Sequence, residues 1–179
     1  RCCRVCVPRV SREAVEVVMF ELSEDQQSLT VAAAEAASII LGDTLKADDE
    51  SETFRPELLN SLGEAGLCGV QTTDEYGGLG LGYTEYAIVL EEIAKVSASY
   101  GVSVAVTGLP QVILSQFGTE AQKEQYLPQL AMGETIGAFA LSEPDSGSDA
   151  ASLQSTAVLD GDGYVLNGTK FWITHGGYA

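Results

Sequence analysis

The apolar residues of this chain change their period once, near Glu134, and that change limits what the chain can build. Before it, apolar positions recur at helical spacing between strong helix starts and stops. After it, short β-type runs alternate with glycine-rich turns. A 3.6-residue period suits a half-buried helix and a 2-residue period suits a strand, and neither pattern serves the other element. The expected fold class is therefore α+β. An all-α helical region, residues 19–133, precedes the start of an antiparallel, barrel-like β region, residues 134–179.

The helix signals are specific. Ser23-Glu24-Asp25-Gln26 has capping-box form and predicts a helix to about Leu45. Pro56 suits the first turn of a second helix, with Leu58, Leu59, Leu62 and Ala65 at helical spacing and Gly66 closing it. A glycine-rich loop follows over 76–82, then a third helix over 83–95 and a fourth over 97–117, with a possible kink at Pro110 and an end at Gly118. Thr119 and Gln122 form a second capping box, and Pro128 ends or bends that fifth helix near 129–132. Residues 136–141, 156–159, 164–166 and 170–174 read as strands. Asp160-Gly161-Asp162-Gly163 and Asn167-Gly168 are the turn signals between them. Three or four strands leave a sheet edge unprotected, so the chain reads as a fragment.

Charge narrows the partners. The 179 residues carry a net charge of −17. Binding nucleic acid or an anionic membrane needs a basic face, so both are disfavoured. No apolar run comes near the roughly 20 residues of a membrane span. Residues 1–18 differ from the rest, with four arginines, two glutamates and three of the four cysteines. They are expected to lie outside the fold, as an upstream extension or part of a targeting segment. Cys3-x-x-Cys6 has metal or redox spacing, but no second Cys/His pair completes a site.

Several motifs invite chemistry. Gly78-x-Gly80-x-Gly82 has the wrong spacing for a dinucleotide fingerprint, and no βαβ pattern follows it. A flexible loop between helices fits better. A calcium loop starting at Asp145 fails, because its third, sixth and twelfth positions are Gly147, Ala150 and Thr156. The stretch L-S-E-P-D-S-G-S-D, 141–149, is either a solvated turn or an anion-binding concavity of backbone N–H groups, with Gly147 and Ser148 at its tip. Glu91 and Glu92 are neighbours on a helix and do not make a catalytic pair. His175 reads as structural or exposed. Trp172 reads as core packing or as a stacking platform for an aromatic ligand.

Two motifs carry a family resemblance: F-A-L-S-E-P-x-x-G-S-D at 139–149 and Y-V-L-N-G-T-K-x-W-I-T at 164–174. With the upstream segments around 75–99 and 117–134, they resemble the acyl-CoA dehydrogenase family, most closely its short-chain, butyryl-type members. The resemblance covers roughly residues 20–179. It implies a helical N-terminal domain, a central β-domain and a C-terminal four-helix bundle that is absent here. It also implies FAD as cofactor, an acyl-CoA substrate oxidised to the trans-2-enoyl-CoA, and an electron-transfer flavoprotein as electron acceptor. A homotetramer in the bacterial cytoplasm or mitochondrial matrix follows from the same resemblance.

Site roles are implied in the same way. Phe139, Ala140, Leu141 and Ser142 would run along the flavin, with the Ser142 hydroxyl at its polar edge. Gly147 and Ser148 would approach the FAD diphosphate, and Ser148 would also touch the acyl-CoA. Trp172 and Ile173 would pack at the isoalloxazine, and Thr174 would bond near its N5. The resemblance leads one to expect asparagine at position 175, where this chain has histidine. The catalytic base is expected in the absent C-terminal region, so no carboxylate here takes that role and the piece alone should be inactive. The alternatives are a flavin oxidase or monooxygenase of the same fold, and a non-catalytic helical interaction module.

Overall fold

The computed structural model describes residues 21–42 and 45–179. The expected extension at 1–18 lies outside the described residues. Among the described residues six α-helices come first: α1 (Glu24–Leu41), α2 (Leu45–Glu50), α3 (Pro56–Glu64), α4 (Tyr83–Val96), α5 (Ala98–Phe117) and α6 (Glu120–Ala131). A two-stranded antiparallel hairpin follows, β1 (Thr156–Asp160) with β2 (Gly163–Asn167).

The caps form as the sequence dictates. The Ser23 hydroxyl accepts the Gln26 N–H while the Gln26 side chain accepts the Ser23 N–H, and Thr119 and Gln122 repeat the exchange. Each such cap satisfies two donors that a helix start otherwise leaves open. Gly66, at φ +81°, closes α3: its N–H bonds Gly63 O, and Leu67 N–H bonds Leu62 O. The helix opened by Ser23 runs to Leu41 with Gly42 as its cap rather than to about Leu45, and Leu45 already belongs to the unforeseen α2.

The small residues of α1 let it lie close on α4. Ala33, Ala37 and Leu41, one face at i, i+4 and i+8, join Leu59, Leu62, Val70, Val89, Ile93 and Val104 in one buried core. Each fully buried leucine contributes about 1.5–3 kcal/mol. The Gln26 amide donates to Glu85 at 2.7 Å, tying the starts of α1 and α4 and holding the Glu85 carboxyl below its ordinary range. Glu91 and Glu92 both pair with Lys95.

α5 is the central helix, packed on α3, α4 and α6. Contrary to the sequence reading, its 20 residues are long and apolar enough to cross a membrane. In this fold it carries buried polar side chains instead. Gln111 donates to Cys68 O at 3.0 Å and Thr107 O at 3.2 Å, and it accepts the Thr72 hydroxyl at 2.6 Å. The glycine loop before α4 is not free: Leu79, Gly80 and Leu81 N–H groups bond the carbonyls of Gly69, Thr72 and Val70 at 2.8–2.9 Å. Cys68 is buried, and burial pushes its thiol up to about 12, which makes it inert.

Two expected strands are absent among the described residues. Residues 136–141 have no ladder of backbone bonds, and a run without one is not a strand. Residues 170–174 are broken by Trp172 at φ +58°, a left-handed value that interrupts the pleat. The hairpin turn at Gly161 and Asp162 forms, but Asn167-Gly168 leads into coil.

Gln111→Ala should therefore cost about 1–3 kcal/mol by leaving buried groups unpaired. The check is the urea midpoint by circular dichroism; an unchanged midpoint would show that Gln111 holds nothing.

Candidate functional site

Gly137 carries the chain out of the helical part. A Cβ built there would lie 2.6 Å from Pro110 Cγ and 3.2 Å from Thr107 O, so only glycine lets the backbone cross α5 this closely. Beyond it, run 137–143 lies antiparallel to run 170–175. Phe171 N–H donates to Ser142 O at 2.8 Å. Lys170 Nζ donates to Leu141 O at 3.0 Å, and His175 Nδ1 lies 3.1 Å from Gly137 O. The two sequence motifs are thus brought side by side.

Glu143 fastens one end. Its side chain is 4 % exposed and accepts Lys170 Nζ at 2.7 Å, Gln154 N–H at 2.6 Å and Ser155 N–H at 3.0 Å. The Lys170 ammonium, with the Ser155 and Gln154 donors, lowers the carboxyl from its ordinary 4.5 to about 2. Sequence reading missed Glu143 and Lys170 as a pair. Their signal was opposite charge, one in each motif.

Run 141–149 is a structured turn. Glu143 and Ser146 exchange backbone bonds at 2.8 and 3.2 Å, and Ser146 Oγ donates to Asp149 O at 2.6 Å. The Asp149 carboxylate accepts the Ser152 hydroxyl at 2.5 Å. Gly147 and Ser148 are exposed at the tip, and a Cβ on Gly147 would meet no heavy atom within 4 Å. Ser146, which the sequence did not single out, is the buried member of this turn.

Phe139, Ala140 and Leu141 are exposed, and Ser142 is half-buried. Across from them, Trp172 is 92 % exposed, which removes the core-packing reading. Ile173 is half-buried and Thr174 exposed, and Thr174 also borders an open hollow of about 540 Å³. His175 is buried and stacks on Phe54 with ring centroids 5.5 Å apart. The arrangement offers a flat aromatic face, neutral hydroxyl donors and an open glycine turn around one frame. A planar ligand bearing an anionic group could use all three.

Comparison with known proteins identifies the family. Residues 23–134 match the acyl-CoA dehydrogenase N-terminal domain, and residues 138–179 match the acyl-CoA dehydrogenase middle domain. The chain belongs to the acyl-CoA dehydrogenase family. It is 39% identical over 161 residues to a short-chain specific acyl-CoA dehydrogenase of Clostridium acetobutylicum, covering 89% of this chain and 42% of the relative. It is 43% identical over 158 residues to the mitochondrial isovaleryl-CoA dehydrogenase of Pongo abelii, covering 87% of this chain and 37% of that one. The structure matches a glutaryl-CoA dehydrogenase from Mycobacterium smegmatis in complex with FADH2 at a TM-score of 0.83 and 32% identity, over 88% of this chain and 41% of the other. The chain spans about two fifths of the length of these relatives.

A carboxyl held below its unfolded value contributes stability above that value and loses it as pH falls through the folded one. The Glu143 fastening should therefore weaken between pH 4.5 and about 2. Glu143→Gln should flatten the pH dependence of urea stability in that window. An equally steep fall in both proteins would remove the role given to Glu143.

Proposed function

We propose that this chain serves as the N-terminal part of an FAD-dependent acyl-CoA dehydrogenase. The substrate is a short-chain acyl-CoA, the product its trans-2-enoyl-CoA, and the electrons pass to an electron-transfer flavoprotein. In this reading residues 19–133 are the helical domain and 134–179 open the FAD-binding β-domain. The observation that carries the reading is the alignment of the two motif runs, with Trp172 left open beside them.

The donor set suits the cofactor. Ser142, Ser148 and Thr174 supply neutral hydroxyls, and Trp172 supplies a plane for stacking. Two of the local carboxylates are already engaged, Glu143 by Lys170 and Asp149 by Ser152, which reduces their conflict with a diphosphate. When bound, FAD supplies the acceptor for the substrate's β-hydrogen as hydride. Phe139, Ala140, Leu141 and Ser142 line one side of the frame and orient it. Ile173 packs at its other side, and Thr174 donates a hydroxyl proton toward its polar edge. Gly147 and Ser148 admit the diphosphate, and Ser148 also meets the acyl-CoA. These are positioning and electrostatic contributions. No carboxylate of this chain removes the α-proton, so these 179 residues alone should not turn over an acyl-CoA. The complete enzyme is proposed as a homotetramer, in the cytoplasm of a bacterium or the matrix of a mitochondrion. Its similarity to a Clostridium short-chain enzyme supports the short substrate.

Butyryl-CoA added without oxygen to the purified full-length enzyme should bleach its flavin band. A band that stays oxidised would assign another substrate or a same-fold oxidase, and a protein with no flavin would overturn the reading. Because open space surrounds Gly147, Gly147→Ala should leave the melting temperature unchanged. It should weaken FAD about tenfold, the equivalent of about 1.4 kcal/mol. Equal FAD affinity in a flavin titration would release Gly147 from the diphosphate role.

A further inference from the structure

His175 is buried at the end of run 170–175, directly after the exposed Thr174. Its backbone sits at φ +66°, a region that asparagine, aspartate and histidine enter several-fold more often than other non-glycine residues. Its Nδ1 lies 3.1 Å from Gly137 O. A carbonyl oxygen only accepts, so Nδ1 carries the hydrogen. Histidine Nδ1 and asparagine Nδ2 are both bonded to Cγ. Each therefore offers an N–H at the same number of bonds from the backbone, on a residue that tolerates the same left-handed turn.

The location of this bond gives it a task. It joins Gly137, where the chain crosses α5 after leaving the helical part, to the end of the run that holds Trp172, Ile173 and Thr174. The Glu143–Lys170 bond closes the opposite end of the same two runs. Between the two ties lie Phe139, Ala140 and Leu141 on one side and Trp172, Ile173 and Thr174 on the other. With one tie removed, the runs can pivot about the other. The His175 ring also stacks on Phe54, just ahead of α3, which connects the frame to the helical part.

The geometry points to His175 as a positioning residue that sets the spacing of runs 137–143 and 170–175 through its Nδ1–H bond to Gly137 O. Its value for flavin binding rests on the proposed function; the spacing itself does not. Glycine and asparagine both accept φ +66°, so His175→Gly removes the donor and His175→Asn keeps it, neither straining the backbone.

Amide hydrogen exchange on the full chain tests this, read at Phe171, whose N–H bonds Ser142 O across the two runs. In His175→Gly, Phe171 should exchange about tenfold faster, with α4 and α5 protected as in the parent; in His175→Asn it should stay within about twofold of the parent. Unchanged Phe171 protection in His175→Gly would overturn the proposal. So would equal loss in both variants, or parallel loss throughout α4 and α5, which marks general destabilisation. FAD titration of the full-length enzyme carrying the same substitutions separates the two readings. Weaker FAD in His175→Gly, with parent-like affinity in His175→Asn, extends the positioning to the cofactor. If none takes up FAD, the flavin reading falls and the exchange data still decide the role of His175.

Discussion

The close crossing of Gly137 over α5 is the constraint on which the rest of the arrangement depends. Pro110 and Thr107 come so near that a side chain at 137 would push the crossing outward. Thr107 belongs to the same helix that Gln111 ties to Cys68 and Thr72. The helical core therefore fixes where the second half of the chain begins. A displacement at Gly137 would be passed directly to Phe139 and Ser142, two and five residues further on.

From that origin the frame is held by unlike forces at its ends. Glu143 and Lys170 make a charge-assisted bond, reinforced by two backbone N–H groups on the same carboxylate. His175 makes a neutral bond and an aromatic contact. Left between them are exposed apolar and hydroxyl-bearing side chains, including a tryptophan that a finished core would not leave in water. Exposed groups held by buried ties describe a surface prepared for contact.

How far the sequence revealed this follows from the range of each interaction. Helix caps are local, and Ser23 with Gln26 or Thr119 with Gln122 could be read directly. The hairpin turn at Gly161 was equally local. The short α2 was not legible, because six residues carry too little periodicity. Runs 136–141 and 170–174 had the composition of strands, but a strand exists only through its partner, and composition does not contain the partner. Trp172 shows the same limit: an aromatic in an apolar run suggests burial, while its left-handed backbone turns it outward. The positions proposed to face a flavin came from motif resemblance, which also singled out His175, whereas the Glu143–Lys170 pair and the partners of His175 emerged only from geometry. Their contacts span 27 and 38 residues.

The hairpin has an implication for the order of assembly. Every residue of β1 and β2 is exposed, so neither face is buried against the helices. A lone two-stranded hairpin is marginal in water. The helical core closes with contacts among residues 29–136, so it can form as the chain leaves the ribosome while Val158, Leu159, Tyr164 and Leu166 remain exposed. During that interval the hairpin is the segment that most needs shielding from other nascent chains.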